Sequence, residues 1–406
     1  MSFQDLWSSL LPLGRDERTG GYHRFSWTPA DEACRAWFTK AAAERGLRTQ
    51  ADHNGNLWAW WDTPTSPSPG AVVTGSHLDS VPGGGAFDGA LGVASAFAAV
   101  DTLRERGCTP VRPLAIAAFC EEEGARFGVA CLGSRLAVGT IDPQTARALR
   151  DASGASLAQV MASAGHDPAL IGPDEELLSR VSAYVELHIE QGRGLVDLGA
   201  QVGVAEGIWP HGRWRLTFTG RADHAGTAVL ADRRDPMLPA AAAVLAAREV
   251  ARAQQALATV GKLSTEPGAA NAVASRVTVW LDARAPDGTA LQTLAAEILS
   301  ATHAAAQEHG VDLDVSQESV TPAVVFDAGL RESVTACLAA RGVRAPALPT
   351  GAGHDAGVFA ARVPTAMIFV RNPTGVSHSP AEYADMADCE AGVAALAAVL
   401  EDLACW

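Results

Sequence analysis

Short, largely apolar segments recur along this chain and alternate with stretches of helical periodicity. Residues 71–74, 114–119 and 181–189 are such apolar segments, whereas residues 89–106 have helical spacing with a glycine at 107 where the helix should stop. A strand that is apolar on both sides is buried on both faces, which is typical of a parallel sheet covered by helices. The pattern therefore predicts an α/β fold with a mostly parallel sheet flanked by helices.

The pattern changes near residue 207. Residues 213–219 and 276–284 alternate apolar and polar side chains, and a long helix is expected between them at 237–255. This predicts an antiparallel sheet with one open face and helices on the other, which is an α+β arrangement. The buried-strand pattern returns at 365–370, and a terminal helix is expected at 390–403.

The order of these two patterns predicts a domain inserted within another. We expect a first domain formed by residues 1–207 and 321–406 and an inserted domain formed by residues 208–320. Residues 63–70 are rich in proline and serine and predict a surface loop.

Charge excludes some classes of partner. The 406 residues include 46 acidic and 31 basic side chains, a formal net charge of −15. Binding to nucleic acid or to anionic lipid needs a basic surface, so neither partner is expected. Residues 1–15 lack a basic leader, and no apolar run approaches the roughly 20 residues that cross a bilayer.

The number and spacing of the cysteines exclude some kinds of site. There are seven, an odd number, and none forms a Cys-x-x-Cys pair. This argues against a disulfide framework and against a thiolate zinc site. We expect reduced, buried cysteines and a cytoplasmic location.

Acidic and histidine side chains follow the predicted buried strands. Each alone has a simpler interpretation: a histidine at a strand end is usually a satisfied core residue, and a run of glutamates is usually a solvated turn. Together they would lie at one edge of the sheet, where open α/β sheets bind ligands. The residues concerned are His77, Asp79, Asp88, Glu121, Glu122, Glu123, His188 and His378.

Imidazole and carboxylate ligands without thiolates suit zinc or a neighbouring divalent transition metal. Two histidines and two carboxylates could hold one ion, whereas three histidines and several carboxylates indicate two ions bridged by a carboxylate. Three adjacent glutamates directly after an apolar strand are costly unless a cation neutralises them.

Seven motifs, in order along nearly the whole chain, resemble one family. The motifs are GSHLDSVP (75–82), FDGALG (87–92), EEEGARF (121–127), ELHIEQG (186–192), HAGT (224–227), GAGHDA (351–356) and SHSPAE (377–382). The family that they resemble is the amidase/carbamoylase branch of the aminoacylase and carboxypeptidase-G type dinuclear zinc metallohydrolases, which includes N-carbamoyl-L-amino acid hydrolases, β-ureidopropionases and allantoate amidohydrolases.

The resemblance implies a catalytic first domain that holds two divalent metal ions per chain. His77 and His188 would be ligands of one ion, Glu123 and His378 ligands of the other, and Asp88 the bridge. Zinc is the first expectation, with manganese, cobalt or nickel as alternatives.

The resemblance also implies the catalytic groups. Glu122 would be the general base; position alone does not choose among the three glutamates, and the register of the motif does. Asp79 would orient His77, as ligating histidines generally require. His224 would hydrogen-bond the developing oxyanion. In the family this histidine comes from the partner subunit, which implies a homodimer through the inserted domain, a lid and dimerisation domain.

Asn271 and Arg284 resemble the pair that holds the substrate carboxylate, and Gln191 would contact the polar end of the substrate. For Arg284 the simpler alternative is an exposed surface charge. Two departures leave the substrate open: residues 228–230 are Ala-Val-Leu where the family usually has Thr-Pro-Met, and residues 271–275 lack the family's usual proline.

The expected activity is hydrolysis of a linear amide or ureido C–N bond in a small carboxylate-bearing substrate, an N-carbamoyl-L-amino acid or allantoate. One alternative is an N-acyl amino acid deacylase or dipeptidase that uses the same metal site. A non-enzymatic alternative is a small-molecule binding protein that retains the fold.

Overall fold

The computed structural model describes residues 2–63 and 70–405. The predicted proline- and serine-rich loop falls mostly on residues 64–69, which lie outside the described part. The chain forms two compact units, the first Met1–Gly207 with Val325–Trp406 and the second Ile208–Val324.

Strands and helices are numbered in chain order. The strands are β1 (Arg48–Ala51), β2 (Leu57–Trp61), β3 (Ala71–His77), β4 (Leu114–Phe119), β5 (Val181–Ile189), β6 (Val202–Ile208), β7 (His211–Thr219), β8 (Asp223–His224), β9 (Leu257–Glu266), β10 (Ala272–Val273), β11 (Arg276–Arg284), β12 (Asp312–Thr321), β13 (Val324–Val325), β14 (Ala347–Thr350) and β15 (Thr365–Val370). The α-helices are α1 (Phe3–Leu10), α2 (Pro29–Glu44), α3 (Ala90–Glu105), α4 (Leu132–Val138), α5 (Pro143–Ala148), α6 (Leu157–Ser163), α7 (Glu175–Ser179), α8 (Gly194–Leu198), α9 (Met237–Ala253), α10 (Gly288–Glu308), α11 (Ala328–Ala340), α12 (Asp355–Phe359) and α13 (Met386–Ala404), and a 3-10 turn covers Leu230–Asp232.

The first unit is built on a mixed sheet with the strand order β1-β2-β4-β3-β5-β15-β6-β13, and β14 pairs with β6. Its centre is parallel, because β3 pairs in parallel with both β4 and β5, and β15 pairs in parallel with β5. Every residue of β3, β4 and β15 is buried, as the continuous apolar segments predict. The carboxyl ends of these central strands therefore meet at one edge of the sheet.

The mostly parallel sheet is confirmed, and β4, β5 and β15 have the predicted bounds. Strand β3 is longer than the apolar segment 71–74 and reaches His77, which pairs with Phe119 of β4. A polar residue is thus the last residue of a fully buried strand. The main core lies between the sheet and helices that include α3 and α13, where Phe97 and Leu396 are fully buried.

The expectation of seven reduced cysteines is wrong for two of them. Cys108, after α3, and Cys405, after α13, form a disulfide across 297 residues of sequence. They meet because the chain after α3 runs along the end of α13, where Val111 donates its N–H to the carbonyl of Ala404. The remaining cysteines are free and buried, namely Cys34, Cys120, Cys131, Cys337 and Cys389.

The second unit has an antiparallel sheet in the order β12-β7-β11-β9 and a separate two-stranded pairing of β10 with β8. After its exposed first residue, strand β11 alternates buried and half-buried residues, as predicted for a sheet with one covered face. Helices α9 and α10 cover that face, and their side chains form a core with Leu216 and Val279 of the sheet. No helix in residues 2–63 and 70–405 is long and apolar enough to cross a membrane.

Candidate active site

The polar side chains predicted to lie at the sheet edge do meet there. His77 ends β3, Glu121–Glu123 follow β4, and His188 lies near the end of β5. His378 lies in the loop after β15, and Asp88 in the loop from β3 to α3. Parallel pairing of these strands brings residues far apart in sequence into one cluster.

Two histidines face one oxygen of Asp88. The Nε2 atoms of His77 and His188 lie 3.4 and 3.2 Å from Asp88 Oδ1. Their Nδ1 atoms lie 3.1 and 2.9 Å from the backbone carbonyls of Asp79 and Ile189. An N–H donated from Nδ1 to a carbonyl leaves Nε2 of each ring facing Asp88, and in the neutral imidazole this atom carries the lone pair that a metal ion needs. These three residues could hold one metal ion.

A second triplet uses the other oxygen of Asp88. His378 Nε2 lies 3.4 Å from Asp88 Oδ2 and 3.5 Å from Glu123 Oε2. Asp88, Glu123 and His378 could therefore hold another ion. Because the two triplets share Asp88 through different oxygens, the geometry suits a pair of cations bridged by one carboxylate.

The charges in this cluster perturb one another strongly. Although burial opposes ionisation, hydrogen bonds from His188, His378 and His77 hold the pKa of Asp88 well below its usual range. The bond to Asp88 raises the pKa of His378 to about 9. Burial and the charge of Asp88 raise the pKa of Glu123 to about 7. The cluster thus favours positive charge at His378 and disfavours negative charge at Glu123.

The donor set fits divalent cations. Oε1 of Glu123 and Oε1 of Gln191 are buried and have no hydrogen-bond partner among the described residues. A buried carboxylate oxygen without a donor is costly unless a cation satisfies it. Nitrogen and oxygen donors without sulfur suit zinc, manganese, cobalt or nickel.

The three adjacent glutamates point in different directions. Glu121 adopts a positive φ of 57°, and its Oε1 accepts the backbone N–H groups of Arg126 and Phe127, so it braces its own loop. Glu122 turns inward, with Oε2 3.7 Å from His77 Nε2. Glu123 lies in the triplet described above. The positive φ at Glu121 therefore turns its carboxylate toward its own loop, whereas the carboxylates of Glu122 and Glu123 face the cluster.

Glu122 is held at both its backbone and its side chain. Its carbonyl accepts the N–H of Cys131, and the Cys131 thiol donates to its Oε1 at 3.1 Å. Burial raises the pKa of the Glu122 carboxyl well above its usual range. A carboxyl that favours its neutral form beside a candidate metal pair has the proton affinity that a general base needs.

Asp79 contacts His77 through its backbone carbonyl, while its carboxylate Oδ1 lies 3.6 Å from His77 Nδ1. That carboxylate accepts the backbone N–H groups of Glu122 and Glu123 at 3.1 and 3.0 Å. Asp79 therefore links the strand that carries His77 to the glutamate loop, a contact that the sequence did not predict.

Two further residues shape the site beside Asp88 and were given no role from sequence. Oε1 of Glu382 accepts the backbone N–H groups of Phe87 and Asp88, each at 2.9 Å. Gly89, the residue before α3, has a φ of +64°, and a Cβ there would lie 2.4 Å from the His77 ring. Both residues lie within the quoted motifs, Glu382 in the motif that contains His378 and Gly89 in the motif that contains Asp88, and this shared motif is the signal that could have found them.

Gln191 lies inside the cluster. Its Nε2 donates to Asp88 Oδ2 at 3.0 Å and to Ser377 Oγ at 3.1 Å. In the second unit, the N–H of Ala225, next to His224, donates to the Asn271 carbonyl, so those two predicted residues are neighbours. Arg284 ends β11 and donates from Nε to Asp282 Oδ1 at 2.9 Å.

Comparison with known proteins supports the family resemblance drawn from the sequence motifs. Residues 73–402 match the model of Peptidase family M20/M25/M40. The chain is 37% identical over 394 residues to an N-carbamoyl-L-amino acid amidohydrolase from Geobacillus stearothermophilus, with 96% of each chain covered. It is 32% identical over 401 residues to an allantoate amidohydrolase from Escherichia coli (strain K12), covering 97% of this chain and 96% of that one.

Solved structures support the same family membership as the sequence comparisons. An amidase of the hydantoinase/carbamoylase family from Burkholderia vietnamiensis aligns with a TM-score of 0.88 at 29% identity, covering 100% of this chain and 98% of that one. The resemblance drawn from the seven motifs is confirmed. The chain belongs to the M20/M25/M40 peptidase family and, within it, to the amidase/carbamoylase branch.

Proposed function

We propose that this protein is a metal-dependent amidohydrolase that cleaves a linear amide or ureido C–N bond in a small carboxylate-bearing substrate. An N-carbamoyl-L-amino acid or allantoate is the substrate that its relatives' activities favour. The observation that carries the proposal is the pair of triplets that share Asp88, with the carboxylate of Glu122 beside them.

Two divalent cations would be held by these triplets. His77 and His188 would bind one, Glu123 and His378 the other, and Asp88 both. Bound there, the cations would supply Lewis acidity, which polarises a carbonyl and makes a water more acidic. We take zinc as the first candidate, with manganese, cobalt or nickel as alternatives.

Glu122 would carry the proton during hydrolysis. Its Oε2 faces the cluster, and burial gives its carboxyl a high proton affinity. It would accept a proton from the attacking water and later deliver it to the leaving nitrogen, acting as base and then as acid. The Cys131 thiol and the Asp79 carboxylate hold the residue in place for both steps.

The second unit would supply the groups that recognise the substrate. Arg284 and Asn271 would hold its carboxylate, since a guanidinium offers a two-pronged fit to that group. His224, exposed at the end of β8, would hydrogen-bond the developing oxyanion. Gln191 would contact the polar end of the substrate from within the cluster.

We propose a homodimer formed through the second unit. Leu238 and Leu245 of α9 are 49% and 64% exposed, and Leu257 and Leu263 of β9 are 56% and 49% exposed. Strand β9 is an edge strand of its sheet. Exposed apolar side chains beside an unpaired strand edge are typical of a surface that a second copy covers.

The experiment is a substrate screen with metal analysis. Protein loaded with two equivalents of each candidate metal would be assayed for ammonia release with N-carbamoyl-L-amino acids, ureidopropionate and allantoate, and for amine release with N-acyl amino acids and dipeptides. Ammonia release that chelation abolishes is the expected result. Amine release alone would support the deacylase or dipeptidase alternative, and tight substrate binding without turnover would support a binding protein. Full turnover by metal-free protein would overturn the proposal.

A further inference from the structure

The loop that carries Glu122 and Glu123 is closed at its base by backbone hydrogen bonds. Gly133 donates its N–H to the carbonyl of Cys120, and Leu132 and Cys131 donate theirs to the carbonyls of Glu121 and Glu122. These three hydrogen bonds, here called the loop ladder, join one arm of the loop, residues 120–122 after β4, to the other arm, residues 131–133 at the start of α4.

The side chain of Asn56, from the turn between β1 and β2, bridges the base of this ladder. Its Oδ1 accepts the N–H of Cys120 at 3.0 Å, and its Nδ2 donates to the carbonyl of Gly133 at 3.1 Å. The side chain is fully buried, with 0% of its surface exposed. A Cβ at Gly133 would lie 2.1 Å from Asn56 Oδ1, so a glycine makes room for the amide. One amide therefore satisfies a donor on one arm and an acceptor on the other.

Asp52 fixes the orientation of that amide. Its Oδ2 accepts from Asn56 Nδ2 at 2.8 Å and from Trp58 Nε1 at 3.1 Å, and its Oδ1 accepts the N–H of Asn56 at 2.9 Å. Because Asp52 can only accept in its ionised form, the NH₂ of Asn56 must face it and the oxygen must face Cys120. The arrangement is buried and leaves no freedom for the amide to flip.

We propose that Asn56, oriented by Asp52, is a positioning residue for the glutamate loop. It contacts neither the metal triplets nor Glu122, and it acts by fixing the base of the ladder on which Glu122 and Glu123 are carried. Displacement of a catalytic group by about 1 Å costs on the order of 100-fold in rate. The inference rests on the proposed function for its kinetic consequence but not for its effect on metal binding.

The chain offers a matched control two residues away. Asn54 is also buried, 3% exposed, and its amide makes two hydrogen bonds, both with Gly172. Asn56→Ala and Asn54→Ala each remove a buried amide with comparable hydrogen bonding, so both should lower the thermal unfolding midpoint. Only Asn56→Ala should disturb the glutamate loop.

The test compares the two variants by calorimetric titration of metal-free protein with Mn²⁺ and by kinetics of the loaded enzyme. Asn56→Ala should weaken one of the two Mn²⁺ sites about 10-fold or more and lower kcat by about 10- to 100-fold, with KM changed less than about 3-fold. Asn54→Ala should leave both Mn²⁺ sites and kcat within about 3-fold of wild type. If both variants behave alike in these measurements, Asn56 is only structural and the inference is wrong.

A second variant covers the case in which Asn56→Ala does not fold. Asp52→Asn keeps the shape of the site but places an NH₂ at one of the two oxygen positions. In one orientation it faces the Asn56 NH₂, and in the other it faces the backbone N–H groups of Asn54 and Asn56. Either orientation opposes donors of the turn that carries Asn56, so the variant should reproduce both the Mn²⁺ and the kcat effects. A folded Asp52→Asn protein with wild-type Mn²⁺ binding would overturn the inference. If wild-type protein binds Mn²⁺ but turns over no substrate, the proposed function fails, and the Mn²⁺ titration alone decides the role of Asn56.

Discussion

Glu122→Gln is the substitution that tests the proposed chemistry most directly. Glutamine keeps the length and shape of the side chain, and it leaves the backbone contacts of residue 122 with Asp79 and Cys131 unchanged. An amide placed at Oε2 would lie 3.7 Å from His77 Nε2, beyond hydrogen-bonding distance, so it introduces no new bond there. The change removes the ability to accept a proton and little else.

The expected loss of rate in Glu122→Gln follows from the loss of this one function, proton acceptance. A positioned general base contributes about 10²- to 10⁴-fold to a rate, which is about 3 to 5 kcal/mol of activation free energy. Glu122 lies with His77 and Glu123 in a further group that could hold an ion, but it belongs to neither triplet that shares Asp88. Glutamine at this position should leave both triplets intact, so we expect two metal ions per chain and a KM within about 3-fold of wild type, and the loss should appear in kcat.

The assay is steady-state ammonia release on the best substrate of the screen, with metal content measured on the same preparations. Glu121→Gln is the matched control. It is the same substitution at the neighbouring buried residue, whose Oε1 only accepts backbone N–H groups from its own loop. A glutamine oxygen can accept those bonds too, so Glu121→Gln should keep most of the activity. Loss of less than 10-fold in Glu122→Gln, or an equal loss in both variants, would refute the assignment of the base.

Three further predictions concern the metal triplets and the subunit contacts. Gly89→Ala should lower metal affinity and the free energy of unfolding by more than about 1 kcal/mol, because the φ of residue 89 is positive and the added Cβ would lie 2.4 Å from the His77 ring. Equilibrium dialysis measures the affinity and thermal unfolding the stability; an unchanged affinity would contradict the prediction. Metal binding at pH 7 should release at least one proton, since the pKa of His378 is raised to about 9 and that of Glu123 to about 7, and the pKa values of His77 and His188 are raised as well. Affinity should therefore fall as pH is lowered. Calorimetry in buffers of different ionisation enthalpy counts the protons, and no release would contradict the pKa directions. Heterodimers of a His224→Ala chain with a Glu122→Gln chain should recover about half of wild-type turnover, because one of the two sites would then have both an intact Glu122 and an intact His224 from the partner chain. Verified heterodimers without recovery would exclude the action of His224 on the partner's site.

The sequence predicted the sheet well because burial on both faces leaves a strong signal. The segments 114–119, 181–189 and 365–370 are largely apolar, and each forms a strand with those bounds. The gathering of polar residues at one edge follows from parallel pairing alone, since such strands end on the same side. These inferences need no knowledge of side-chain conformation.

Other features depend on contacts that spacing cannot express. The positive φ that turns Glu121 away from Glu122 is a local backbone strain, and position could not separate the two. The bridge made by Asn56 depends on a turn more than sixty residues before the loop that it closes. The Cys108–Cys405 disulfide joins residues that only the folded chain brings together.

Buried carboxylates have a second use at this sheet edge, apart from metal binding. Asp79, Glu121 and Glu382 each accept two successive backbone N–H groups, and in each case these belong to a loop that carries, or lies beside, a candidate metal ligand. Charged acceptors form stronger hydrogen bonds than neutral ones, so they fix a loop firmly. In their ionised form they also add negative charge beside Asp88 and Glu123, which burial and like charge already disfavour at Glu123. Bound cations would offset that repulsion. The carboxylates that fix the loops therefore also increase the expected metal affinity of the cluster.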